Sequence, residues 1–122
     1  MKRFSKKYLC IKKDREFRWL FKKGDCTVTK AFICYVNESK RRKNRIGIVT
    51  GKKLGNAVTR NRARRVIREA FRHIEPVLAE STQKRYDIIF VARGAAPHLK
   101  STQIYKLMEK NILGKYANAK QK

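Results

Sequence analysis

Between Glu38 and Glu69 the chain carries twelve Lys and Arg and no Asp or Glu, yet part of this interval has the apolar spacing of a helix. At roughly 100° per residue, Ala63, Val66, Ile67, Ala70 and Phe71 fall on one stripe. By the same count Arg60, Asn61, Arg64, Arg65, Arg68 and Arg72 spread over an adjoining arc of about 140°. Such a helix must lay its stripe on a core and turn a wall of guanidinium groups outward. Arg60, Arg64 and Arg68 then repel along one row, with only Glu69 nearby to compensate. A polyanion resolves the repulsion, and the planar fork of Arg, which takes two oxygens at once, suits phosphate.

The rest of the composition agrees. The 122 residues hold 33 Lys plus Arg against 9 Asp plus Glu, a net charge of +24, with 42% hydrophobic residues. That is enough apolar material for one domain over 1–122 and too much for a disordered basic tail. Residues 1–9 and 115–122 read as flexible ends. Nucleic acid is the expected partner, because neutralised phosphates release counterions. An anionic membrane surface would need a basic helix with an exposed apolar face. The longest apolar run, Ala31 to Val36, is far too short to span a bilayer. Met1 to Lys13 is basic but lacks the apolar stretch of a signal peptide. Cys10, Cys26 and Cys34 are odd in number and show no CxxC spacing, which favours a reduced, cytoplasmic setting. His73 and His98 stand apart from any cysteine pair, so no zinc site is expected.

The predicted order of elements is helix, two or three strands, helix, strand, helix. Asp14 is a candidate N-cap for a short helix that Gly24 stops, with Phe17, Leu20 and Phe21 on one face. Thr27 to Val36 reads as one strand with both faces largely apolar. With Ile46 to Thr50 it forms a predicted antiparallel hairpin across the charged turn Lys40 to Arg45. The basic helix, capped by Asn56 or Thr59, is expected to end near His73, ahead of Pro76. Tyr86 to Ala92 is a strand buried on both faces. Ser101 is a candidate cap for a last helix ending at Gly114, with Ile104, Leu107, Met108 and Ile112 on one side. Helices packed on a mixed sheet of about four strands make this an α+β chain, a small α/β sandwich.

Strands and the Gly51–Gly55 loop precede the basic helix, which argues against a helix-turn-helix, and no leucine heptad follows it as in a bZIP protein. RNA is therefore preferred to DNA. The nine acidic residues are scattered, as a metal-dependent nuclease would not have them. Gly51 to Gly55 lacks the Gly-Lys-Ser/Thr ending of a P-loop. No catalytic residue and no metal ligand is assigned.

One string is more specific. Lys52-Lys53-Leu54-Gly55-Asn56-Ala57-Val58-Thr59-Arg60-Asn61-Arg62-Ala63-Arg64-Arg65, continued by Arg68-Glu69, closely resembles the RNR signature of the bacterial ribonuclease P protein family. The likeness extends to Phe17 and Phe21, the Phe32 to Tyr35 strand and Ile88 to Arg93. Two positions depart from it: Arg64 stands where the family often has Lys, and Gly51 removes a side chain from the loop.

The resemblance implies three helices on the sheet and a left-handed βαβ crossover. It implies an accessory subunit of an endoribonuclease whose catalysis, with its Mg²⁺ ions, belongs to an RNA partner. Arg60, Asn61, Arg62, Arg64, Arg65 and Arg68 would face that catalytic RNA. Phe17, Phe21 and Tyr35, with Lys52, Lys53 and Arg93, would bind the single-stranded 5′ leader of precursor tRNA. No membrane and no obligate protein partner is implied. The competing readings are a structural RNA-binding protein, such as a ribosomal protein, and an independent ribonuclease.

Overall fold

The most apolar strand ends up at the centre of the sheet. In the computed structural model, which describes residues 9–116, five strands run in the order β1-β4-β5-β3-β2. They are β1 (Leu9–Cys10), β2 (Asp25–Val28), β3 (Phe32–Ser39), β4 (Arg45–Val49) and β5 (Arg85–Ala92). The sheet is mixed: β4 lies parallel to both β1 and β5, whereas β3 is antiparallel to β5 and β2. The predicted hairpin between the first two strands does not form. Strand β5, buried from Tyr86 to Phe90, inserts between β3 and β4. A strand apolar on consecutive residues can satisfy both faces only at a covered, central position.

The stretch from Thr27 to Val36 is likewise two strands, not one. The Thr29 hydroxyl accepts from the amides of Ala31 and Phe32 and donates to the Phe32 carbonyl, closing a turn that no Gly or Pro announces.

Helix α1 (Asp14–Lys23) packs on one face of the sheet, and helices α2 (Ala57–Ser81) and α3 (Ser101–Met108) on the other. The main core unites Phe32, Cys34, Val36, Ile88 and Phe90 from the sheet with Ala63, Ile67, Ala70, Phe71, Ile74 and Leu78 of α2 and Ile104 and Met108 of α3. Burial raises the Cys34 thiol pKa to about 11, so this cysteine serves as a small hydrophobe. Helix α2 passes straight through Pro76 instead of ending near His73. An interior proline costs about 3 kcal/mol. Burying Ile74 and Leu78 on either side of it recovers about 1.5–3 kcal/mol apiece. Buried Glu75 adds an anchor, accepting from the Asn44 amide at 2.9 Å, while the Asn44 side-chain oxygen accepts from the Tyr86 amide at 2.7 Å.

Two cap assignments change. Lys13 and Lys100, not Asp14 and Ser101, occupy the N-cap positions of α1 and α3. The Lys100 amide instead donates to the Gln103 side chain at 2.9 Å. Asn56 does cap α2, accepting from the Thr59 amide at 3.0 Å. Gly24 ends α1 in an extended conformation; its missing side chain matters because a Cβ there would lie 2.7 Å from the Leu20 carbonyl oxygen. Beyond Met108 the chain makes a wide π-type turn (Glu109–Leu113) and a last helical turn (Gly114–Tyr116). Lys115 and Tyr116, expected in a frayed tail, are tied down: Lys115 donates to Thr27 at 2.9 Å, Tyr116 to Asp25 at 3.3 Å. Leu9, expected in the flexible start, belongs to β1. The remaining ends, 1–8 and 117–122, lie outside the described residues.

On the α1 side, the strands present three successive rows. They are Asn37, Asp87 and Arg45; then Tyr35, Ile89 and Gly47; then Ile33, Val91 and Val49. Leu20, the buried residue of α1, packs against Ile89 of the middle row. The helix therefore divides this face into two flanks.

Candidate nucleic-acid interface

The first flank is aromatic. Phe17 and Phe21 sit one helical turn apart with ring centroids 6.4 Å apart, and Phe21 meets Tyr35 edge-on at 5.0 Å. Phe17 and Tyr35 are half-buried, whereas Phe21 remains 40% exposed. Phe17, Tyr35 and the third-row Val49 and Val91 all pack against the buried Ile11, Leu20 and Ile89. Burial, and then the nearby Cys26 thiol, raise the Tyr35 phenol, so it stays a neutral ring with a hydroxyl. Residues 17, 21 and 35, which the family resemblance groups, thus lie side by side.

Sequence reasoning passed over the floor of this cleft. A Cβ on Gly47 would lie 2.7 Å from Phe17 Cζ, so the glycine admits the ring against the strand. The available signal was a glycine between two isoleucines in a predicted strand, which marks close approach. Gly47→Ala is expected to push the Phe17 ring out of the cleft. Its altered ring environment should be visible by NMR, with a loss of about 1–2 kcal/mol in chemical unfolding.

The cations stand around the end of β4. Lys52 and Lys53 lie on an exposed 3₁₀ turn (Lys52–Leu54) three and four residues past Val49. Gly55, the one positive-φ residue among those described (φ 133°), turns the chain from there into α2. Arg93, exposed just beyond β5, donates to the Thr29 carbonyl at 3.0 Å. Arg64 links the two parts of the site, donating at 2.5 Å to the hydroxyl of Thr50, next to Val49, and also to the Asn61 side chain. The Arg62 Nε is committed to the Pro97 carbonyl at 2.6 Å, fastening α2 to the Ala96–His98 turn while the residue stays largely exposed.

Arg60, Arg65 and Arg68 differ from these. No side-chain hydrogen bond or ion pair engages them among the described residues, and Arg65 and Arg68 are fully on the surface. Further along α2, Arg72 pairs with Glu69 at 2.6 Å, and this bond, helped by His73, lowers the Glu69 carboxyl below its ordinary range. The acid near the arginine arc is thereby neutralised from its far side. No three His, Cys, Asp or Glu side chains gather into a metal-holding group among the described residues. No described helix is long and apolar enough to cross a membrane.

Fold and site together define a small basic α+β protein that presents a cationic helix beside an aromatic cleft. A profile of the Ribonuclease P family matches residues 4–117. Curated relatives include the ribonuclease P protein component of Natranaerobius thermophilus, 35% identical over 113 residues, spanning 84% of this chain and 95% of that one. That of Staphylococcus haemolyticus is 39% identical over 100 residues, 81% of this chain and 82% of its own. Among solved structures, the Staphylococcus aureus RNase P protein matches with a TM-score of 0.71 at 35% identity, covering 89% of this chain and 97% of that one. The Thermotoga maritima protein matches at 0.64 and 26% identity, covering 75% and 84%. The chain belongs to the ribonuclease P protein component family, the bacterial protein subunits of a tRNA-processing ribonucleoprotein.

Proposed function

We propose that this chain, as the protein subunit of ribonuclease P, docks the catalytic RNA through α2 and holds the single-stranded 5′ leader of precursor tRNA in the Phe17–Phe21–Tyr35 cleft. The observation that carries this reading is continuity. Arg64 bonds to Thr50 at the end of β4, so the arginine face and the aromatic cleft meet at one edge. A strand leaving the RNA surface can enter the cleft without crossing the protein. Aromatic faces flanked by Lys52, Lys53 and Arg93 suit a single strand of any sequence, at about 1–3 kcal/mol per stacked base. Cleavage that leaves a 5′-phosphate on the mature tRNA is assigned to the RNA and its Mg²⁺ ions; the protein positions substrate and supplies positive charge. Assembly with that RNA would take place in the cytoplasm.

The direct test is cleavage of a precursor tRNA by a bacterial ribonuclease P RNA at low Mg²⁺, with and without the protein. Strong activation is expected, with no cleavage by the protein alone. Tight RNA binding without activation would make the chain a structural RNA-binding protein, such as a ribosomal one. Cleavage by the protein alone would make it an independent ribonuclease. The cleft has its own test: Phe17→Ala should weaken binding of long-leader precursor tRNA about tenfold while leaving mature tRNA binding unchanged. An equal loss for both ligands would make Phe17 a core residue only.

A further inference from the structure

The second flank of α1 holds a cavity of about 410 Å³ lined by Arg15, Glu16, Trp19, Leu20, Arg45 and Asp87. It lies over the row of Asn37, Asp87 and Arg45, across the helix from Phe17 and Phe21. Its size falls within the roughly 300–1,000 Å³ of small-ligand sites. Three features suit it to a ligand. Trp19 is 49% exposed, and its ring has no aromatic contact among the described residues, so an indole face is open. Two carboxylates are fixed beside it. Arg45 donates from Nε and Nη2 to the two Asp87 oxygens, both at 2.9 Å, and from Nη1 to the Glu16 oxygens at 3.1 and 3.0 Å. These bonds use one lone pair on each oxygen, and Glu16 Oε2 also faces Arg41 Nη2 at 3.6 Å; the remaining lone pairs can accept from a ligand. Finally, Arg15, exposed on the rim, has no ion pair among the described residues and can meet a phosphate.

We infer that this cavity binds an unpaired nucleotide with an amino-bearing base, stacked on Trp19 and donating its exocyclic amine to Glu16 or Asp87. Guanine, adenine and cytosine carry such an amine, and uracil does not. Stacking accepts any base, so the carboxylates supply the discrimination. The site is separate from the leader cleft, because α1 lies between them. It gives the protein a second hold on single-stranded RNA, and it stands whether or not the Phe17 cleft binds the leader.

Trp19 is the only tryptophan in the chain, so its fluorescence reports on the site directly. The intact protein is titrated with GMP, AMP, CMP and UMP. Saturable quenching by the first three, with UMP at least severalfold weaker, is expected. Trp19→Ala, followed by equilibrium dialysis of GMP, should lose affinity roughly tenfold. Glu16→Gln should narrow the gap between GMP and UMP, while Phe17→Ala should leave GMP binding unchanged. Failure of millimolar GMP to quench, equal binding of UMP, or loss of GMP binding in Phe17→Ala would each overturn the assignment. The last result would place the base in the aromatic cleft instead.

Discussion

The Arg65→Ala/Arg68→Ala double variant is expected to bind ribonuclease P RNA at least tenfold more weakly at moderate salt. The slope of log K against log[salt] should become shallower by about 1.4–1.8, because each lost phosphate contact removes about 0.7–0.9 of that slope. These two guanidinium groups are exposed and unengaged within the described residues. Their removal therefore takes nothing from the fold, and thermal stability should be unchanged or slightly higher as self-repulsion falls. Filter binding or fluorescence anisotropy across a salt series is the measurement. Unchanged affinity and slope would remove α2 as the docking face. Arg62→Ala makes an instructive contrast. Its Nε holds the Pro97 carbonyl, so part of its effect should appear as lost stability, of about 1–3 kcal/mol.

The largest effect on folding is expected from Asp87→Ala. Arg45 is only 8% exposed, and its fork meets both Asp87 oxygens. This pairing, ahead of the weaker contribution from Glu16, raises the Arg45 guanidinium above its already high value, so it stays charged at every usable pH. Removing Asp87 leaves that charge buried with only Glu16 and should cost about 3–5 kcal/mol. Urea denaturation followed through Trp19 fluorescence measures it. Glu16→Ala should cost less, because the Glu16 side chain is more exposed (23% against 13% for Asp87) and water can replace it. Similar losses for the two variants would show that the triad acts as a unit rather than through its buried pair.

The elements that sequence determined are those set by local pattern and composition. The 3.6-residue stripe from Ala63 to Phe71 requires a helix with one buried face, and the arginines between those positions must then point away from the core. The consecutive apolar run of β5 requires burial on both sides. Phe17 and Phe21, four apart on a short helix, are bound to share a face. Net charge and the arginine-rich string pointed to a nucleic acid for the same reason: uncompensated cations need phosphates.

Tertiary structure alone decided the rest, since it depends on partners distant in the chain. Whether β3 pairs with β4 or with β5 is a choice between strands of similar composition, settled by which arrangement buries β5 on both faces. Pro76 marks a helix end until Ile74, Glu75 and Leu78 find their core and the Asn44 amide. Nothing local shows that Arg62 and Arg64 spend donors on Pro97 and Thr50, 35 and 14 residues away. The pairing of Arg45 with Asp87, 42 residues on, is equally silent in sequence, and with it the cavity beside Trp19. Periodicity fixes which side of an element is buried; only long-range packing fixes what it is buried against.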